Sequence, residues 1–255
     1  MTAHVVTAVE DRVARIELAR PEKKNALTGE MYAALARALA AAESDGAVRA
    51  VLIHGAPGCF SAGNDLNDFL SRPAGGEQPA VEFLSRISRA TKPIVAAVAG
   101  PAVGIGTTML LHCDLVYAAP SARFQLPFVP LGLVPEAASS LLLPMMAGYQ
   151  RAAELLLLGE SFGVEKAFAA GFVTEVVAEA EVMGRARAAA LALAALPPES
   201  VRLTKGLMKR PLAAGIAAQM AEELQLFWQR LSSPEAKEAL TAFLEKRKPD
   251  FSRFS

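Results

Sequence analysis

Three runs constrain this 255-residue chain more than anything else in it: "RAVLIHGA" from Arg49, "IVAAVAG" from Ile94 and "DLVYAAP" from Asp114. Each is short and almost uninterrupted in apolar residues. A strand with one wet face alternates polar and apolar positions, so a strand without that alternation must be covered on both faces. Segments of helical character, "GEMYAALARALAAAESD" and "VEFLSRISRAT", stand between the runs. Strands covered by intervening helices define an α/β protein.

The flanking segments fit that frame. "HVVTAVEDRVARIELA" alternates and predicts two strands with a turn near Glu10 and Asp11. Thr28 is a candidate N-cap for the first helix, and Gly46 is its predicted stop. "RPAGGEQPA" reads as a surface loop and "ARFQLP" as another short strand. A helix is expected to start at Asp65 or soon after, carrying Asp68 toward solvent. After about Glu181 the pattern turns helical, in four segments beginning "EVMGRA", "ESVRLT", "LAAGIA" and "PEAKEA". The coarse architecture is an α/β core with a helical C-terminal appendage.

Charge and cysteine content narrow the function classes. Lys+Arg and Asp+Glu both number 26, so the basic excess of a nucleic-acid binder is absent. Apolar runs such as "LLLPMMAG" are too short and too broken to span a bilayer. The two cysteines, Cys59 and Cys113, form no paired motif, which favours a reducing compartment. No signal peptide is visible at the N-terminus, and the terminal "RFS" is not a peroxisomal address. A cytoplasmic protein is expected, without nucleic-acid or membrane partners.

Two small-residue loops and one acid are the candidate chemistry. "CFSAGNDL", Cys59 to Leu66, and "GPAVGIGTT", Gly100 to Thr108, each follow a strand and precede a helix. Their small residues permit close approach of a ligand to backbone N–H groups, and two such donors around one oxygen make an oxyanion hole. The alternative for each loop is a tight turn that packs a helix on a strand. Neither matches a nucleotide-phosphate motif. Glu136 lies alone in "LGLVPEAASSLLLP". It either opens a helix behind Pro135, facing the N-terminal dipole, or serves as a base whose proton affinity its apolar surroundings raise. His4, His54 and His112 share no metal-ligand spacing, and no G-x-S-x-G elbow occurs. Asp65 and Asp114 read as caps or loop hydrogen-bonders, His112 and Cys113 as buried packing, and Phe227 and Trp228 as core or interface packing.

Taken together, "RPEKKNALT", "FSAGNDL", "AVAGPAVGIGTTMLLHCDLVYA" and "GESFGVEKAFAAGFVTEVV" resemble, in order and spacing, the crotonase superfamily, that is, the enoyl-CoA hydratase/isomerase family. The resemblance covers essentially the whole chain. It implies a crotonase (ClpP-like) spiral of β-β-α units over residues 1–195. Residues 196–255 would form a helical oligomerisation region, assembling a homotrimer or a dimer of trimers. Family hydratases carry two catalytic glutamates. This sequence has Thr108 in the helix after the second loop and Phe128 after the short strand, where those acids would stand. With its single acid at Glu136, the chain looks most like the peroxisomal-type Δ3,Δ2-enoyl-CoA isomerases.

The resemblance also implies site roles. Glu136 is the base. The backbone N–H groups of Asn64 and Ile105 form the oxyanion hole. Lys24, Ala26, Leu27, Ala62, Gly63, Asn64, Asp65, Leu66 and Gly104 line the acyl-CoA, with Lys24 and Lys246 or Lys248 as candidates for phosphate contacts. Each lysine is also explained as a solvated surface charge. Phe69, Phe128, Leu131 and Leu133 are candidates for the acyl pocket, and ordinary core packing explains them equally well. No metal and no separate cofactor is expected, since CoA is part of the substrate. The alternatives are a hydratase or another crotonase reaction, and a non-catalytic acyl-CoA-binding scaffold.

Overall fold

The alternating N-terminal segment forms a hairpin, β1 (Val5–Glu10) antiparallel to β2 (Val13–Leu18). Its turn residues Asp11 and Arg12 have φ of 51° and 66°, the left-handed geometry that a two-residue hairpin needs to match strand twist. This computed structural model describes residues 4–56, 58–67 and 79–254. Asp68, Phe69 and residues 72–78 of the expected surface loop therefore lie outside the described residues, while the last two residues of that loop, Pro79 and Ala80, open a helix, Pro79–Arg89.

The three apolar runs become β3 (Ala50–Gly55), β4 (Ile94–Val98) and β6 (Leu115–Ala118), all parallel. They sit in a six-stranded sheet of order β1-β2-β3-β4-β6-β9, closed at one edge by β9 (Glu175–Val176). Both faces are covered, as their composition requires. Val51, Ile53, Ile94, Ala96 and Val98 face one core with α1 (Gly29–Ser44) and α2 (Pro79–Arg89). Ala50, Leu52, Val95 and Ala97 face the other with α7 (Val182–Ala195). The α7 contact residues Ala186, Ala189 and Ala190 are small, which brings that helix close to the strands. Thr28 caps α1 by accepting from Met31 N at 3.3 Å; α1 ends at Ser44, just before Gly46.

A second, three-stranded sheet of order β5-β7-β8 stands beside the first. Its strands are β5 (Pro101–Val103), β7 (Arg123–Gln125) and β8 (Phe162–Gly163). So the second small-residue loop is not all loop: β5 runs inside it, followed by α3 (Ile105–Thr108) and a 3-10 turn, Met109–His112. The helices α4 (Ser139–Ala147), α5 (Tyr149–Ala153) and α6 (Val164–Ala169) complete the core. The alternation of strands and helices, followed by a helical C-terminus, is the crotonase arrangement.

One sequence expectation fails at the C-terminal side. The segments "ESVRLTKGLMKR" and "LAAGIAAQ" are not separate helices but one 34-residue helix, α8 (Pro198–Leu231), with Pro211 inside it. An interior proline removes one helical hydrogen bond. Here the helix is held on both sides of that point: Lys205 is buried at one end, Glu223 and Phe227 at the other. The last helix, α9 (Pro234–Leu244), is capped by Ser233. Of the two readings of Glu136, the structure does not bear out the one in which it opens a helix. The helix begins three residues later, at Ser139. Ala137 and Ala138 take φ of 61° and 55°, so the chain turns left-handed between the acid and the helix.

Candidate active site

Backbone contact fuses the two small-residue loops. Phe60 N and Ser61 N donate to Pro101 O at 3.1 and 2.9 Å, and Val103 N donates to Ser61 O at 2.9 Å. Glycine is needed where they touch. Gly63 has φ +87°, and a Cβ there would lie 2.7 Å from Val103 O; a Cβ on Gly106 would lie 2.8 Å from Ser61 O. The early loop joins the same assembly. Leu27 N donates to Gly63 O at 2.7 Å, Asp65 N to Leu27 O at 3.0 Å, and Ala62 N to Lys24 O at 2.8 Å.

Neighbouring donors in this assembly are used: Gly63 N by Ser61 Oγ, Gly104 N by Gln125 O, and Thr107 N and Thr108 N by Gly104 O. The N–H groups of Asn64 and Ile105, by contrast, meet no acceptor among the described residues. These are the two positions that the family resemblance names as donors. The Asn64 side chain is turned aside, since its Oδ1 accepts from Tyr32 Oη at 2.5 Å.

Buried polar side chains hold the early loop. Asn25 is fully buried; its Oδ1 accepts from Arg20 N, and its Nδ2 donates to Cys59 O and Phe60 O. The Arg20 guanidinium donates to Asp65 Oδ2 at 2.7 Å and to Ala26 O at 2.9 Å. Asp65 is thus a loop organiser, as expected, and Leu66 and Asn67 begin a helical turn behind it. Lys24 is exposed on this loop, Ala26 and Ala62 are partly buried, and Leu27 is buried. Lys246 and Lys248 are exposed beyond α9. The basic residues beside them are engaged: Arg247 and Arg253 both pair with Glu238.

A cavity of about 780 Å³ opens beside Asn64 and Glu136. Its apolar wall comes from α2 and α8, through residues such as Leu84, Met220, Leu224 and Phe227. Phe128, Leu131 and Leu133 do not line it: Phe128 and Leu133 belong to the core, and Leu131 packs against that core. The expected acyl-pocket residues and the lining of this cavity are therefore different. Phe227, read from sequence as packing, is both buried and part of the wall. Cations Arg89, Arg202, Lys205, Lys209 and Arg210 also line the cavity, and Lys205 is already paired to Asp114 at 2.7 Å.

Glu136 is only partly buried by surface area, because it faces the cavity. The protein around that cavity still removes most water from its carboxyl. Burial raises its pKa to about 7; the nearby charge of Glu223 adds to the rise, and a hydrogen bond from Thr108 opposes it. Thr108 Oγ donates to Glu136 Oε1 at 3.3 Å. A carboxyl poised near neutral pH beside an apolar cavity is suited to proton transfer.

Sequence reading missed several supports. Buried His112 does more than pack: its Nε2 bonds Ala137 O at 2.8 Å, directly behind Glu136. Burial lowers its pKa to about 4, so it is neutral and donates. Tyr32, Arg20 and Asn25 left no local signal, since each acts on residues 30 or more positions away or through a loop whose path only the fold defines. Glu223 left a faint one: in "QMAEELQLF" it shares a helical stripe with Met220 and Phe227, an odd place for a solvated charge.

The comparisons agree with this geometry. The family model described as Enoyl-CoA hydratase/isomerase matches residues 8–253. Enoyl-CoA delta isomerase 2 of Rattus norvegicus is 38% identical over 250 residues, which cover 95% of this chain and 64% of that protein. The chain therefore spans somewhat less than two thirds of that relative. The 2,3-dehydroadipyl-CoA hydratase of Escherichia coli K12 is 31% identical, over 98% of each chain. An enoyl-CoA hydratase/isomerase crystal structure from Pseudoalteromonas atlantica T6c superposes with a TM-score of 0.94 at 44% identity, covering 97% of this chain and 99% of that one. With a matching fold and a family match along nearly its whole length, this chain belongs to the enoyl-CoA hydratase/isomerase family of the crotonase superfamily.

Proposed function

We propose that this protein is a Δ3,Δ2-enoyl-CoA isomerase that moves a double bond with one glutamate and a backbone oxyanion hole. The observation that carries this reading is the state of the acids around the cavity. Glu136 faces it with one hydrogen bond among the described residues, from Thr108, which by the family resemblance stands where two-glutamate hydratases carry an acid. The other acid at the cavity, Glu223, has both carboxylate oxygens occupied by backbone N–H groups. Among the described residues, the site thus offers one available base and no second free carboxylate to activate water.

In this reading the thioester oxygen of a 3-enoyl-CoA accepts from Asn64 N–H and Ile105 N–H. Glu136 removes a proton from C2. The electron pair delocalises into a dienolate, with charge on the thioester oxygen. Donors fixed in place stabilise that charge more than the ground state, and one such donor is commonly worth ~3 kcal/mol of barrier. Protonated Glu136 returns the proton at C4, giving the 2-enoyl product. CoA lies along the Lys24–Leu27 and Ala62–Leu66 segments, with Gly104 at the thioester and Lys24 near a phosphate. The acyl chain enters the α2–α8 cavity.

Residues 196–255 are proposed to carry the contacts of a homotrimer or dimer of trimers. Support comes from Leu203, Leu207 and Met208, large apolar side chains exposed along α8.

The test is turnover of trans-3-hexenoyl-CoA and crotonyl-CoA by wild type and Glu136→Gln. Conversion of the 3-enoyl substrate is expected, falling 10²-fold or more in the variant, roughly the worth of a general base. Fast hydration of crotonyl-CoA would overturn the one-base reading and favour a hydratase. Acyl-CoA binding with no turnover of either would favour a scaffold.

A further inference from the structure

Glu136 rides on a turn that its own sequence does not favour. Two consecutive alanines, Ala137 and Ala138, hold left-handed φ, a conformation that costs energy in any residue with a Cβ and persists only when surroundings enforce it. The enforcing groups can be named. His112 Nε2 holds Ala137 O, and Ser139 N and Oγ donate to Glu136 O at 3.0 and 2.6 Å. Three further donors at the turn point at one side chain. Ala138 N donates to Glu223 Oε2 at 2.6 Å, and Ser140 N to Glu223 Oε1 at 3.0 Å. Ser140 Oγ donates to Oε1 as well, and itself accepts from Gln219 Nε2 at 3.1 Å. Glu223 is 4% exposed and comes from α8, more than eighty residues along the chain.

We propose that Glu223 is the positioning residue of Glu136: its carboxylate pins the two-alanine turn that aims the base into the cavity, and it faces that base with a fixed negative charge. The proposal rests on the reading of Glu136 as the base. Its chemistry follows from the hydrogen bonds. A carboxylate accepting three of them favours its charged form, so although burial alone raises the proton affinity of Glu223, these bonds oppose the rise. The net effect at Glu223 is still a rise, led by burial, and the negative charge of Glu223 raises the proton affinity of Glu136. The other titratable groups around the pair do not substitute for it. His112, from the 3-10 turn, is neutral. Arg202, Lys205, Lys209 and Arg210 on α8 and Arg89 on α2 line the cavity, and positive charge there would pull Glu136 the opposite way. Glu222 adjoins Glu223 on α8, and its charge adds to the proton affinity of Glu223.

Helix α8, which lines the cavity, thus also supplies the clamp of the base.

The experiment compares full-length wild type with Glu223→Gln and Glu223→Ala. The Glu136 carboxyl is followed by carbon NMR of protein labelled at glutamate carboxyls, assigned with Glu136→Gln; kcat/KM for a 3-enoyl-CoA is measured against pH. Glutamine keeps the shape and one acceptor oxygen but loses the charge. The Glu136 midpoint and the rising limb of kcat/KM are expected to move to lower pH in Glu223→Gln. At high pH kcat should fall about 10²-fold, the usual cost of a misplaced group, with KM changed far less. Should Glu223→Ala fail to fold, Glu223→Gln decides alone. An unmoved midpoint with kcat within twofold of wild type would overturn the proposal. The NMR midpoint needs no substrate. If it moves while wild type isomerises nothing, the proposed reaction falls and the Glu223–Glu136 link stands.

Discussion

At the scale of single residues, a base held near pKa 7 has a cost in stability whose sign can be worked out. Glu136 titrates near 4.5 when unfolded and about 7 when folded, so folding favours its protonated form. That contribution is fully present below pH 4.5 and is lost as the pH rises through 7. Each unit is worth about 1.4 kcal/mol, and partial access to the cavity reduces the whole to roughly 2–3 kcal/mol. Glu136→Gln should therefore be the more stable protein at pH 8 by about that amount, and the two should converge toward pH 4.5. Urea melts of both proteins at several pH values check this. A gap that does not depend on pH would show that the carboxyl is not desolvated. Stability and activity oppose one another at this residue, as expected where a site is strained for function.

At the scale of elements, the site is made by contact between three loops rather than by any one of them. The Leu27–Asn64 and Ser61–Ala102 bridges join them like short stretches of sheet. The joint depends on Gly63, where a Cβ would meet the carbonyl of Val103 and φ is +87°. Gly63→Ala is expected to cost roughly 2 kcal/mol or more of stability, and to lower kcat/KM by about 10²-fold through displaced N–H groups. Thermal melts and steady-state rates read the two effects separately. A variant with wild-type kcat/KM would mean that the N–H groups of Asn64 and Ile105 do not act together. Helix α8 shows the same principle over a longer range. Pro211 marks a break when only local sequence is read, yet burial of Lys205, Glu223 and Phe227 holds one continuous helix across it.

At the scale of the whole molecule, apolar surface on α8 and on the α4–α5 region is left uncovered, including Leu207, Met208, Met145 and Tyr149. Side chains of that size, grouped on one molecule, usually meet a partner. Light scattering is expected to give three or six times the chain mass; a monomer at micromolar concentration would rule out the proposed assembly. No helix among the described residues is long and apolar enough to cross a membrane. The sequence by itself determined a great deal of this. Apolar runs without a polar face required a sheet covered on both sides, and β3, β4 and β6 are that sheet. The order of the motifs identified the family, and the lone Glu136 was legible as a candidate base because nothing nearby in sequence pairs with it. Periodicity and composition act over a few residues, so they reach this far and no further. Tertiary structure decided the rest: that Glu136 lies on a left-handed turn rather than in a helix, that α8 and not Phe128 or Leu133 walls the cavity, and that Glu223 stands behind the base. Those outcomes depend on groups brought together from opposite ends of the chain, where the hydrogen bonds and burial that fix them have no counterpart in local sequence.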